Sequence, residues 1–273
     1  MANKRRRTLP RLSNNRNRSN PNQNRNVQGL VDRASVGGWA VGMEKRRRKR
    51  SSLVRYAAAV PTGFKLRLRA SSLAVGMGNP VPTWADESGF GNHATQGVAA
   101  QQPTLTTTDW GRLSIPVVSF DSVDDGMTTG LNIASGACSI FIVMVYNAPG
   151  MPCAFLCSAS NSLWGFSYAY GNGYFGAGTA AVQTNYLPYA LCLIDMRVAV
   201  GQFAAQMFMN GALVAQAPTV SAPGVLAFGS SGASMSPGGC LVAEVIAYAR
   251  LLTDAETVLL RRYFQSTYNF LNL

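Results

Sequence analysis

Residues able to carry chemistry are scarce in this sequence. His93 is the single histidine among 273 residues. A zinc site would therefore need an unusual ligand set, and His93 has no evident serine or cysteine partner for nucleophilic catalysis. The five cysteines (Cys138, Cys153, Cys157, Cys192 and Cys240) are odd in number, which excludes a complete set of disulfides within one chain. Cys153 and Cys157 stand in a C-x3-C spacing, and buried free thiols are the expected state of the set. Long apolar runs are also missing. The most apolar stretch, "CSIFIVMVYNAPGMPCAF", is interrupted by Asn147, Pro149, Gly150 and Pro152. It falls short of the roughly 20 residues a helix needs to cross a bilayer, so no membrane span is expected. No apolar segment follows the charged N-terminus, so an ordinary secretory signal is not expected either. No glycine loop of phosphate-cradling type precedes a helix.

Charge is abundant in one place only. Residues 1–69 hold 19 of the 24 Lys and Arg against two acids, Asp32 and Glu44, a net +17. Residues 70–273 hold five Arg and ten acids, a net −5. The overall +12 thus describes neither part. A cationic arm is joined to a mildly acidic body, and that split points to a polyanionic partner for the arm.

The arm reads as 1–69. Its first 26 residues contain Met1, Ala2, Leu9 and Leu12 as their apolar complement. Too little apolar surface is present to offset chain entropy, so disorder in the free state is expected. Lys4, Arg5, Arg6, Arg7, Arg11, Arg16, Arg18 and Arg25, with the run Lys45, Arg46, Arg47, Arg48, Lys49 and Arg50, are the candidate nucleic-acid contacts. They suit phosphate neutralisation without sequence readout, on DNA or RNA. The run also fits a nuclear-import signal, and Arg47–Ser51 fits a basic-specific processing site. A solubilising tail is the plain alternative.

The body, 70–273, is long enough for one domain with its own core. It is poor in charge and rich in Gly, Ser, Thr, Ala and Val, and turn signals recur along it, which indicates an all-β sandwich or barrel. "IPVVSF", "CSIFIVMVY" and "CLVAEVIAYA" read as buried strands. "YGNGYFG" and "MFMNGALVA" place Asn-Gly between apolar runs, the hairpin signature. One segment reads as a helix, Leu252–Tyr268. Thr253 and Glu256 form a capping box there, and Leu259, Leu260, Tyr263 and Phe264 form an apolar stripe.

Four pieces, in order over residues 66–270, carry a resemblance. The first is Trp84, Asp86, Ser88, Gly89, Gly91, Asn92 and Ala94 in a W-x-D-x-S-G-x-G-N-x-A pattern. The second is Phe120, Asp121, Asp124 and Asp125, with Ser122 where glycine is usual. The third is the Asn-Gly hairpin after "MFM". The fourth is Glu244, Tyr248, Leu252, Thr253 and Glu256 in the closing strand and helix. The chain in this region resembles the laminin-G-like, concanavalin-type jelly-roll domains of virion and bacterial surface proteins. The resemblance implies a jelly-roll β-sandwich with one C-terminal helix, preceded by the basic arm.

Read from the residues, the first motif is structural. Gly89 and Gly91 allow positive φ, Asp86, Ser88 and Asn92 satisfy turn amides, and Trp84 fills the core. Asp121, Asp124 and Asp125 could ligate calcium, as some relatives of this fold do, or simply stabilise a turn. No other cofactor is expected. Glu244 stands alone on its strand, whereas glycosidases need paired carboxylates, so an enzyme is not expected. Two functions remain open. One is a viral structural protein, in which the sandwich builds or decorates a shell as a homo-oligomer and the arm holds the genome. It would reside in the virion, or in the host nucleus if the basic run directs import. The other is a recognition module for a glycan or protein receptor, anchored by its arm.

Overall fold

The computed structural model describes residues 59–270, apart from 134–136, 147–152, 156, 159–162, 170–171, 179, 185–189, 200–204, 218–223 and 230–238. Between 153 and 184, and at 217, the backbone alone is described. Strands β1 (Leu66–Arg69), β2 (Thr83–Trp84), β3 (Ala94–Thr95), β4 (Thr104–Trp110), β5 (Leu113–Phe120), β6 (Gly126–Ile133) and β7 (Cys138–Tyr146) come first. Then follow β8 (Cys153–Phe155), β9 (Cys157–Ser158), β10 (Leu163–Ala169), β11 (Asn172–Gly178) and β12 (Ala180–Thr184). The last strands are β13 (Cys192–Val198), β14 (Ala205–Met209), β15 (Ala212–Ala217), β16 (Gly224–Gly229) and β17 (Cys240–Tyr248), before the helix α1 (Asp254–Tyr268).

These strands form an all-β, concanavalin-like jelly-roll sandwich. The main sheet runs β15-β14-β13-β7-β17-β5-β4, with β1 also paired to β17. The facing sheet runs β2-β3-β6-β16-β9, and a smaller one runs β12-β11-β10-β8. All strand pairs are antiparallel. β6 alternates buried and exposed residues, as a strand with one solvated face must. β7 and β17 are buried on both faces because the main sheet is covered twice. One cluster lies between the two large sheets and includes Leu68, Trp84, Phe120, Met127, Ile142 and Phe228. A second lies under α1 and includes Phe141, Ile246, Tyr248, Leu260 and Phe264, with Val60 and Phe64 packed against it.

The helix starts as its sequence dictates. The Thr253 side chain accepts from the Glu256 amide, and Glu256 returns a bond to the Thr253 amide. Arg250 grips both oxygens of Glu256, at 2.9 and 2.6 Å, and also donates to Thr62 O. The buried stripe differs from the expected one: Thr257, Leu260, Phe264 and Tyr268 face the sheet, while Leu259 is 44% exposed. Leu260, Phe264 and Tyr268 lie four residues apart, and Leu259 falls 100° to one side of that line.

Two other expectations shift. Ala169 faces Asn172 across the β10–β11 hairpin, so Asn172 and Gly173 are strand residues and not its turn. The second Asn-Gly pair is the turn: Asn210 and Gly211 both have positive φ, at 48° and 83°, and join β14 to β15. The last residues read as part of the arm are also ordered in the sandwich. Leu66–Arg69 is a strand of the main sheet, in register with Ala247–Glu244.

Candidate functional site

The W-x-D-x-S-G-x-G-N segment is a clasp on β1. Leu68 and Asp86 form an isolated bridge, and Glu87 N donates to Arg67 O. Asp86 is the hub. Its carboxylate accepts from the backbone amides of Arg67, Ser88 and Asn92, each at 2.9 Å, and from the Ser88 hydroxyl. Burial pushes its pKa up, but these donors together outweigh it and hold the carboxyl below its usual range. Asn92 reaches back to Lys65 O at 2.7 Å. Gly89 and Gly91 take φ of 82° and 74°, the conformation the turn needs. Asp86 N donates to His93 Nδ1 at 3.0 Å. Trp84 is fully buried in the central cluster and so cannot stack on a ligand.

Glu244 is sealed beneath α1. A β-bulge between Val242 and Glu244 leaves Ala243 without a cross-strand partner. The extra residue turns Glu244 away from the sandwich interior to the helix side. There its carboxylate accepts from Arg67 Nε at 3.0 Å, Tyr263 OH at 2.9 Å and Tyr268 OH at 2.9 Å. Burial pushes its pKa up, against the pull of Arg67 and both hydroxyls. Arg69 Nε bonds Glu87 at 2.7 Å, beside Arg67. Glu244 is 0% exposed and therefore cannot meet a substrate.

Asp121, Asp124 and Asp125 do come together, with oxygens within 4.8 Å of one another. Their donor chemistry suits a hard cation. Two of the acids, however, already serve the turn. Asp121 Oδ1 accepts from the Val123 amide at 2.7 Å, and Asp125 Oδ2 accepts from the Asp121 amide at 2.9 Å. Ser122 occupies a left-handed φ of 70°. Burial, then the charges of Asp121 and Asp124, push the Asp125 carboxyl up to about 6. The turn presses on Gly229 of β16. A Cβ there would lie 2.3 Å from Asp125 O and 2.8 Å from the Phe120 ring.

Cys138 and Cys192 are free and buried and Cys240 is buried, and burial pushes the Cys138 thiol up to about 12. The side chains of Cys153 and Cys157 lie outside the described residues, as do the expected nucleic-acid contacts from Lys4 to Arg50.

Sequence reasoning missed one polar centre. Asp195, 1% exposed on β13, accepts from Arg197 Nε at 3.0 Å and from Arg261 Nη2 at 3.1 Å. Both guanidiniums lie over Phe208, 4.6 and 5.6 Å from the ring centroid. The alternation of β13 carried the only local signal: Asp195 and Arg197 share one face of an otherwise apolar strand.

No protein-family model and no curated protein matches the chain by sequence. Solved structures match by fold. Trypanosoma rangeli sialidase in complex with sialic acid is similar at 16% identity and a TM-score of 0.55, over 77% of this chain and 34% of that one. The same sialidase as its covalent intermediate with 2,3-difluorosialic acid gives 17% and 0.55 over the same shares. The receptor binding domain of botulinum neurotoxin D gives 12% and 0.49, over 72% and 52%. The chain thus spans about a third of the length of the sialidase chains it matches. At these identities the likeness is one of fold.

Proposed function

We propose that this is a non-enzymatic structural protein of a nucleic-acid-containing virion, in which residues 1–58 bind the genome and copies of the sandwich build or decorate the shell. The division of charge carries this reading. Residues 1–58 hold 16 Lys and Arg against two acids. Inside the sandwich, Arg67, Arg69, Arg197, Arg250 and Arg261 are engaged with Glu244, Glu87, Asp195 and Glu256. Attraction for a polyanion therefore resides chiefly before the first strand. The burial of Glu244 beneath α1, where its carboxylate is taken up by Arg67, Tyr263 and Tyr268, supports a non-catalytic body. Electron microscopy of the purified full-length protein, with a nuclease-protection assay on the same sample, tests it. Closed particles that shield nucleic acid are expected, and monodisperse single copies free of nucleic acid would refute it.

A second reading is a glycan-recognition module anchored by the arm. Its support is the shared fold with a sialidase solved with sialic acid. Sialylated-glycan binding that survives removal of residues 1–58 would favour it.

A further inference from the structure

We propose that Arg197 and Arg261 form an oxyanion site on the helix-bearing face, with the donor set for one phosphate group. Alternation along β13 sends Cys192, Ile194, Met196 and Val198 into the central core and leaves Asp195 and Arg197 on the outer face. α1 brings Arg261 to the same place, 66 residues on. Phe208 lies opposite Asp195 in register and floors both guanidiniums. One buried carboxylate thus serves two cations, and the group keeps a net positive charge.

The donors are not used up. Each guanidinium has five N–H groups. Asp195 engages Nε and Nη2 of Arg197 and Nη2 of Arg261. Arg261 Nε is buried and donates to nothing, and the Thr257 hydroxyl is in the same condition. Thr257 precedes Arg261 by four residues, so the two lie one turn apart on the same side of α1. Among the described residues three buried side-chain polar atoms lack a partner, and these are two of them. Buried donors are nearly always paired, so an acceptor belongs at this point. The free donors come from two guanidiniums and a hydroxyl. A planar carboxylate presents one edge, whereas a tetrahedral phosphate has an oxygen for each. The side chains of Arg197 and Arg261 are 17% and 19% exposed, so their outer N–H groups are open to an anion from solvent, while Arg261 Nε and the Thr257 hydroxyl lie inside.

The site stands apart from the function proposed above, but it lies on the face where the chain enters the sandwich. Pro61 O accepts from Tyr248 OH at 2.8 Å, and Val60 packs into the cluster under α1. The phosphate therefore comes either from a nucleic-acid backbone or as the free ion.

Thermal unfolding of the full-length protein in inorganic phosphate, against chloride at equal ionic strength, tests the site. Wild type should melt roughly 2–4 °C higher in phosphate. Arg261→Lys and Arg197→Lys keep the charge on Asp195 but lose the fork, and the shift should vanish in both. Thr257→Val, which keeps the shape, should melt no lower than wild type in chloride and show a smaller phosphate shift. No shift in wild type, or an equal shift in both lysine variants, overturns the proposal. The source is read from duplex-DNA binding against salt. Arg261→Met should lower the log–log slope by about 1 if a backbone phosphate sits there. An equal slope, with the phosphate shift intact in wild type, assigns the site to the free ion. That second measurement rests on the nucleic-acid reading and the melting comparison does not, so the two can fail separately.

Discussion

Arg67 Nε lies 3.0 Å from Oε1 of Glu244, on adjacent strands and 177 residues apart in sequence. The pair ties β1 to β17 beneath α1. A buried carboxylate that loses its cation is uncompensated, whereas losing both charges is tolerated. Arg67→Met should therefore cost about 3–5 kcal/mol in urea unfolding, and Arg67→Met with Glu244→Gln should recover much of that loss. A single variant as stable as wild type would show the pair to be incidental.

Ser122, in the turn, and Gly229, on β16 against it, make opposite predictions. Ser122 holds a φ of 70°, which penalises an L side chain. Ser122→Gly should stabilise the protein by about 0.5–1 kcal/mol, the left-handed penalty less the added chain entropy. Gly229 has φ 67° and backbone 2.3 Å from any added Cβ. Gly229→Ala should cost roughly 2–4 kcal/mol. Chemical denaturation of both variants is the check, and a neutral Gly229→Ala would mean that the turn does not press on β16.

The Asp125 carboxyl sits near 6 in the fold, raised from 3.8. The folded state therefore keeps a proton that the unfolded chain gives up, and stability falls as pH rises through that window. Asp125→Asn mimics the protonated form. It should gain on the order of 1 kcal/mol at about pH 7.5, discounted for solvent at the turn, and nothing near pH 4. Millimolar calcium should leave the wild-type Tm unchanged, because backbone amides already occupy Asp121 Oδ1 and Asp125 Oδ2. A calcium-dependent rise that Asp125→Asn abolishes would establish a metal site instead.

How far the sequence reveals these features depends on how local their causes are. The strands around "IPVVSF", "CSIFIVMVY" and "CLVAEVIAYA" and the Thr253–Glu256 cap are set by neighbours within a few residues, and they are legible. β1 is not. "LRLR" alternates like a strand, but Arg67 finds its partners, Glu244 and Tyr263, far along the chain, and Arg69 pairs with Glu87, 18 residues on. The bulge at Ala243 is invisible for the same reason. It occurs where the neighbour of β17 changes from β5 to β1, a fact of topology and not of composition. Asp195 looks like half of a local pair with Arg197 until α1 delivers Arg261 to it.

That correction to β1 decides how the arm should be tested. A chain beginning at Ala70 would lack both the strand and the cation that neutralises Glu244, so its failure to bind nucleic acid would mean only that it had not folded. A chain beginning at Ala59 keeps Val60, Phe64 and all of β1, and removes 16 of the 24 Lys and Arg. The full-length protein should bind DNA and RNA without sequence preference. If ten phosphates are neutralised, its log–log salt slope on duplex DNA should be about −9. The chain from Ala59, net −2, should bind far more weakly at low salt, with a slope no steeper than about −2, because few cations of the sandwich remain free of internal partners. Equal affinity for the two proteins, or a full-length affinity indifferent to salt, would transfer the polyanion contact from the arm to the sandwich and leave the proposed genome-binding role without its charge.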